Sequence, residues 1–452
     1  MDRVLVTAVT LSVVLATVLA FVPIGTVDSS ALNDQSDFDT SPSASLTHES
    51  SATGHSTHEF SATGHLTHES SATVGDNYLA ASQPQPTENT TARLGLDPEN
   101  IDRTDGETVT IDVGSTVRSD VETTDARHEY HLLQVEYQAA SEEDRPAVLE
   151  NETNHLESRV EELRIREETA FERYNEGELS TAEFVTELAA VHEQARGIEM
   201  RLDGIDQLDE QQTFSDRTVA TAVELRRFQG PVREQAGNAL AGKEPPKEIY
   251  VETAEDGVVL STIDDGQYVR EAHAHWNIEE NPDSRISYGQ AASRFESLYP
   301  WAWSAGHVST SGIGGDLLYR GYSDHQHGEL TAYLDPGTEG IFLEHQFLYL
   351  ESMPIQQTVV TDEGDFNATV ERTYAGGPAL VDAGTDDADV WIDGEHTGTT
   401  GDDGTLWIVE PRPVYDLSIT VDGESANATV EGQPQERLPG SESSGEELSA
   451  ED

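Results

Sequence analysis

The 452-residue chain contains no cysteine. That absence excludes disulfides, thiolate metal sites, iron–sulfur clusters, cysteine nucleophiles and a lipidated N-terminal cysteine. Lysine is nearly absent as well, since Lys243 and Lys247 are the only two. The basic side is therefore arginine, and Lys and Arg together number 25 against 87 Asp and Glu, a formal net charge of −62. No basic cluster opposes the acids, and phosphate recognition needs one, so nucleic acid is excluded as a partner. Only one long apolar run occurs, which excludes a polytopic membrane protein.

The charge has a physical consequence of its own. In dilute salt it sets up self-repulsion that disfavours a compact state. In molar salt the Debye length falls to roughly 3 Å and the repulsion is screened. A carboxylate-rich surface then keeps the protein hydrated, so the composition reads as adaptation to brine. The acids are spread through every segment, and the −62 describes a solvent rather than a binding site.

The single apolar run, Val4 to Val22, follows Arg3 and reads VLVTAVTLSVVLATVLAFV. A positive residue followed by an apolar stretch ending at small residues predicts a secretory signal over 1–22, cut after Ala20. The run also approaches the ~20 residues that span a bilayer, so an uncleaved membrane anchor is the alternative. Both place the protein outside the cell or at its surface. Four sequons, at Asn89, Asn151, Asn367 and Asn427, are glycosylation candidates that suit an exported chain.

Residues 23–106 are poor in large apolar side chains and carry a ten-residue repeat: SLTHESSATG from Ser45, HSTHEFSATG from His55 and HLTHESSATV from His65. Such a segment cannot bury enough apolar surface to offset its ordering entropy, and a disordered stalk is expected. The His55/His58 and His65/His68 pairs alone are weak metal ligands.

Helical periodicity fills 107–242. Leu149, Leu156, Leu163 and Ala170 recur every seven residues, with Val160 and Tyr174 beside them. Ser180-Thr-Ala-Glu183 is a capping box, and Phe184, Leu188, Val191, Ala195, Ile198 and Leu202 follow in steps of four and three. Two long amphipathic helices on a short connection predict a helical hairpin or small bundle with coiled-coil-like packing. Pro245-Pro246 then marks a change to α+β texture over 243–352. Short alternating strands with Asp393-Gly394 and Asp403-Gly404 turns predict a β-sandwich over 353–432, and an acidic disordered tail occupies 433–452.

The helix Ser287 to Tyr299, the strands after it and the turn Asp335-Pro-Gly-Thr-Glu-Gly340 resemble the PepSY domain family over about Arg285 to Leu350. In that family an Ala-containing helix packs on a small antiparallel sheet whose last turn reads Asp-x-x-Thr-Gly; here Glu339 is inserted before Gly340. The resemblance implies peptidase regulation at the cell envelope and supplies no catalytic residue. The stretch from Val390 to Gly404 resembles carboxypeptidase-regulatory-like and immunoglobulin-like modules, which serve as spacers or adhesion units. The phrases ERYNEGELSTAEFVTEL, LYPWAW, GELTAYLD and ERTYAGGPALV resemble a group of exported haloarchaeal proteins made of domains of unknown function.

Searches for active-site patterns fail. His128-Glu-Tyr-His131 has the wrong spacing for a zinc helix, no Gly-x-Ser-x-Gly elbow occurs, and Gly312-Ile-Gly314-Gly315 lacks the Lys-Ser/Thr of a phosphate loop. One constellation stands out, His273-x-His275 with Asp324-His325-x-His327. Alternate strand residues share a face, so pairing of the two segments would gather four imidazoles and a carboxylate around zinc or copper. The simpler alternative places both pairs at solvated strand ends. Trp301 and Trp303 are expected in the core of the α+β domain. The sequence thus predicts a non-enzymatic, multi-domain exported protein without a cofactor, binding an envelope protein or peptide. A spacer or adhesion component and a metal-dependent hydrolase using the four histidines are the rivals.

Overall fold

A short hairpin of β1 (Gln85–Thr87) and β2 (Thr90–Arg93) opens the described residues, and β3 (Ile101–Val109) follows. The computed structural model describes residues 84–431, apart from 88, 98, 99, 256, 280, 281, 283, 362 and 413. The apolar run 4–22, the ten-residue repeats and the tail 433–452 lie outside the described residues. Residues 84–106 were expected to be disordered; they contain three strands instead, because partners far along the chain supply the apolar contacts they lack locally.

Five helices come next: α1 (Val113–Ala139), α2 (Arg145–Asn175), α3 (Thr181–Leu208), α4 (Ser215–Leu225) and α5 (Pro231–Leu240). α2 carries proline in its first turn, where no intrahelical N–H is lost, and the chain after it turns at Gly177 in the left-handed region (φ 76°). α3 begins at the capping box. The Ser180 side chain accepts from the Glu183 N–H, and the Glu183 carboxylate accepts from the Ser180 N–H at 2.9 Å. Its apolar stripe is buried from Phe184 to Leu202 and meets Leu149, Leu156, Val160 and Leu163 of α2. At about 2 kcal/mol for each large side chain buried, this seam stabilises the hairpin far more than propensity does.

The remaining strands of the body are β4 (Lys247–Ala254), β5 (Gly257–Asp264) and β6 (Gln267–Ala274). After α6 (Tyr288–Leu298) and α7 (Pro300–Ala305) come β7 (His307–Ile313), β8 (Leu318–His325), β9 (Gly328–Leu334) and β10 (Ile341–Tyr349). They form one antiparallel sheet in the order β3-β4-β5-β6-β10-β9-β8-β7. Both its faces are covered, which is why β4 to β6 are buried almost without alternation. The long helices pack on Ile249, Val251, Val258, Leu260 and Val269. The β1–β2 arm with Leu94 and Leu96, together with α6 and α7, packs on Val259, Ala272, Leu330 and Ala332.

β3 precedes the helices and pairs with β4, which follows them, so the helices and the α+β region share one sheet and one core. The expected boundary at 242/243 falls inside that shared body. Periodicity cannot show this, because a strand's partner is set by topology and not by its own pattern. Trp301 and Trp303 are half-buried against the second core.

The C-terminal region is a β-sandwich. One sheet joins β11 (Gln357–Val360), β13 (Thr369–Arg372), β14 (Pro378–Asp382) and β17 (Thr405–Val409). The other joins β12 (Glu363–Gly364), β19 (Glu424–Val430), β18 (Tyr415–Val421), β15 (Asp389–Ile392) and β16 (Glu395–Thr399). Their inward residues, among them Val370, Val381, Val390, Ile408 and Ile419, make the core. Arg372 is ion-paired with Glu410 inside it.

A buried ion cluster and an adjoining groove

Strand alternation on β6 sends Val269, Glu271 and His273 toward the helical layer. Glu271 is fully buried there, and its carboxylate caps α5: Oε2 accepts the backbone N–H groups of Val232 (2.9 Å) and Arg233 (3.3 Å). Oε1 accepts from Arg233 Nε at 3.0 Å, and Arg233 Nη1 donates to Glu167 of α2 at 2.5 Å. The helix N-terminus, which favours an anion, and a single guanidinium thus hold two buried carboxylates. Burial pushes the Glu167 carboxyl up, but the charges around it, Arg233 foremost, outweigh it and hold it below the ordinary range.

Four histidines surround this pair. His192 of α3 accepts the Gly230 N–H through Nδ1 at 3.3 Å, which leaves its proton on Nε2. His345 of β10 lies directly opposite Glu271 in the sheet. His273 Nε2 is 3.4 Å from Glu271 Oε1, and His275 sets its ring edge-on to Phe171 at 4.8 Å. Burial lowers the pKa of His192, His275 and His345 to about 4 and that of His273 well below 6.5. All four are neutral at neutral pH. The Nε2 atoms of all four are buried without a hydrogen-bond partner.

His275 carries the cluster out to solvent. It lines a cavity of about 970 Å³ with Phe171, Asn175 and Arg227. A second cavity of about 510 Å³ adjoins it, sharing Arg164, Arg227 and Ile278, and has an apolar floor of Val160, Val223, Phe228 and Phe342. Arg164 is neutralised by Glu161 (held through Nε at 2.9 Å) and Glu168 (2.8 Å). Arg227 is spread over the Phe228 ring at 5.6 Å, and its Nε has no partner.

The rival five-residue metal constellation is not assembled, and the expected solvated strand ends do not hold either, since His273, His325 and His327 are all buried. His273 pairs with Leu343 near the start of β10, whereas the β8–β9 turn reaches its far end, where the Tyr349 N–H donates to His327 O at 2.8 Å. The faces differ too. His273 meets the long helices, while His325 and His327 pack on Trp301 of α7 at 5.1 and 4.9 Å between centroids. Thr90 Oγ1 lies 3.2 Å from His327 Nδ1, and Asp324 is exposed opposite His307. Among the described residues no group of three His, Asp or Glu side chains is arranged to hold a metal ion. The sequons sit at an exposed turn (Asn89), on exposed positions of α2 (Asn151) and of the sandwich (Asn367), and half-buried on β19 (Asn427).

Sequence reasoning missed Glu167, His192, Arg233, Glu271 and His345, which come from five different elements. One signal was present. Val160, Glu167 and Tyr174 are seven apart, so an acid occupies a position of the apolar stripe of α2.

The architecture is that of a helical layer and strand built onto a second α+β segment and followed by an immunoglobulin-like sandwich. The chain belongs to the family described as a domain of unknown function (DUF7096), whose model matches residues 4–245. Residues 249–354 match a family of unknown function (DUF7094), and residues 357–428 are similar to an archaeal fibronectin-III type-like domain. The boundary between the first two matches falls at the start of β4, the partner of β3, so one sheet carries both. Neither a curated protein nor a solved structure gave a match. Among the described residues no helix is long and apolar enough to cross a membrane.

Proposed function

We propose that this is an exported or surface-held protein of brine that binds a peptide segment of an envelope partner without chemically changing it. The observation that carries the reading is the groove: an apolar floor beside two buried polar nitrogens, Arg227 Nε and His275 Nε2, that no protein group satisfies. A segment presenting backbone carbonyls would supply the missing acceptors for donors that are costly to leave unpaired, whereas the acids of the lining, Glu168, Glu172, Glu176 and Glu255 among them, disfavour a carboxylate. Export rests on the apolar run after Arg3 and on the acid-rich composition. A peptidase-modulating form of this role is favoured by the PepSY-like order of α6, the β7–β10 meander and the Asp335 turn. There Asp335 Oδ1 accepts the Gly337 and Thr338 N–H groups and the inserted Glu339 takes a left-handed φ of 59°.

Envelope extract passed in multimolar salt over immobilised protein tests it. One partner retained by the wild type and lost with Arg227→Ala or His275→Ala is expected. Equal retention by both variants would overturn the groove as the site. Recovery of no partner would favour the second reading, a rigid spacer, which the ion-paired junction of body and sandwich supports.

A further inference from the structure

The eight-stranded sheet has two edges, and they are built differently. β3 carries Asp102, Arg103, Asp105 and Glu107, and its register shifts between Ile101 and Arg103. Charges and a bulge are the usual protection of an open edge. β7 has neither. Its seven residues, HVSTSGI, are mostly exposed and pair with β8 without a register shift. It lies within a run from Ser297 to Gly315 that holds no Asp, Glu, Lys or Arg, in a chain with 87 acids. No proline interrupts the strand, and Val308 stands 42 % exposed on it.

The open side of β7 can be read from the ladder. The Ile313 carbonyl is taken by the Leu317 N–H at the β7–β8 turn, so it points toward β8. Alternation then turns the N–H and C=O of Val308, Thr310 and Gly312 away from β8. The Thr310 carbonyl accordingly accepts the Tyr288 hydroxyl at 2.9 Å, which leaves its second lone pair and the outward N–H groups for another strand.

We propose that β7 pairs with β7 of a second copy of this chain, antiparallel about a two-fold axis at Thr310, to give a continuous sheet across a dimer. Charge selects that occupant. Over most of its surface a second copy would bring carboxylates into contact that must be desolvated without a cationic partner, a cost that salt does not remove, and β7 is an edge on which neither copy brings a charge to the contact. Thr310 is the middle residue of the strand, so the two-fold sets Thr310 against itself and Val308 against Gly312, and the outward groups match. A partner of opposite charge would need no uncharged strand.

The cysteine-free chain gives a direct test. In Thr310→Cys, the two thiols would approach across a hydrogen-bonded antiparallel pair whose Cα atoms are about 5.5 Å apart, within disulfide reach. Mild oxidation of the full chain in multimolar salt should convert most of it to covalent dimer. Thr108→Cys, exposed on the opposite edge strand, should stay monomeric under the same oxidant. A second variant, Thr310→Pro, removes an outward N–H without touching the β8 ladder. It should shift the wild-type dimer to monomer by light scattering, with an unchanged circular dichroism spectrum. A monomeric wild type at tens of micromolar, or equal cross-linking at positions 108 and 310, would overturn the proposal. So would a Thr310→Pro protein that stays dimeric.

Discussion

Gly230 and Glu271 claim the same space: a Cβ on Gly230 would overlap Oε2 of the Glu271 carboxylate. The backbone there is extended (φ −162°), so alanine meets no torsional strain and any cost is steric. Gly230→Ala should push the carboxylate off the α5 N-terminus and loosen its bond to Arg233. A loss of ~3 kcal/mol is expected, the range for breaking a buried pair. Gly177→Ala is the contrast. Its φ of 76° is left-handed, but nothing lies near its Cβ, so only about 1 kcal/mol should be lost. Guanidinium chloride unfolding of both variants decides; equal losses would remove the steric argument.

Stability should fall in acid through the same cluster. His192 is neutral in the fold with a pKa of about 4, against 6.5 in the unfolded chain. Between those values the unfolded state binds more protons. The contribution is therefore complete above pH 6.5 and is lost as pH falls toward 4, by ~3 kcal/mol. His275 and His345 are shifted the same way and steepen the slope. Urea titrations at fixed high salt should show this fall in the wild type and a shallower one in His192→Gln. An unchanged slope in the variant would assign the acid sensitivity to other groups.

The sandwich is fastened to the body by buried charge. Arg412 Nε stands 2.7 Å from Glu252 Oε1 on β4, an ion pair rather than an aligned hydrogen bond, and both side chains are nearly buried. The Arg93 guanidinium lies 4.2 Å from the Tyr374 ring, and the Tyr268 hydroxyl donates to Gly376 O. Arg412→Ala leaves Glu252 buried and uncompensated, at an expected cost of 3 to 5 kcal/mol at the junction. Calorimetry should then show two unfolding transitions where the wild type shows one. A single transition in the variant would mean that apolar contacts such as Tyr268 with Tyr374, and Trp407 and Val409 packed beside them, hold the junction alone.

What the sequence made legible was local. The capping box at Ser180, the stripe from Phe184 to Leu202 and the turns at Asp393 and Asp403 are each encoded within a few residues, and the structure carries them. The sheet was not legible, because β3 and β4 are separated by five helices and neither strand's pattern names its partner. Burial on both faces also erases strict alternation, and Glu252, Arg270 and Glu271 are buried among apolar neighbours, so the face that each residue of β4 to β6 takes cannot be read from its own pattern. The His273 and His325 pairs were visible as motifs, yet their faces depend on strand register and helix placement. Glu271 could not be singled out among 87 acids; only its position facing Gly230 and Arg233 distinguishes it.

The hold of α3 on α1 rests on two glycines. Gly197 and Gly204 are seven residues apart on α3 and face Ala126 and Tyr130, four apart on α1. A Cβ at Gly197 would stand 3.3 Å from that of Ala126, which a slight shift of α1 relieves; at Gly204 it would fall on the Tyr130 ring. Beside these glycines the Tyr137 hydroxyl donates to Leu208 O of α3 at 2.8 Å, but little of α1 is buried. Among its described side chains only Leu133 is buried, Val113, Val117 and Val121 are exposed, and Glu129 pairs with Arg201. Mid-helix Gly→Ala ordinarily gains about 1 kcal/mol, so the two substitutions should differ in sign. Gly197→Ala should be neutral or mildly stabilising. Gly204→Ala should displace Tyr130 and lower hydrogen-exchange protection across α1 while leaving α2 and the Phe184–Leu202 stripe protected. Equal protection of α1 in the two variants would show that the ring can move aside and that the Gly204 contact is not what seats the helix.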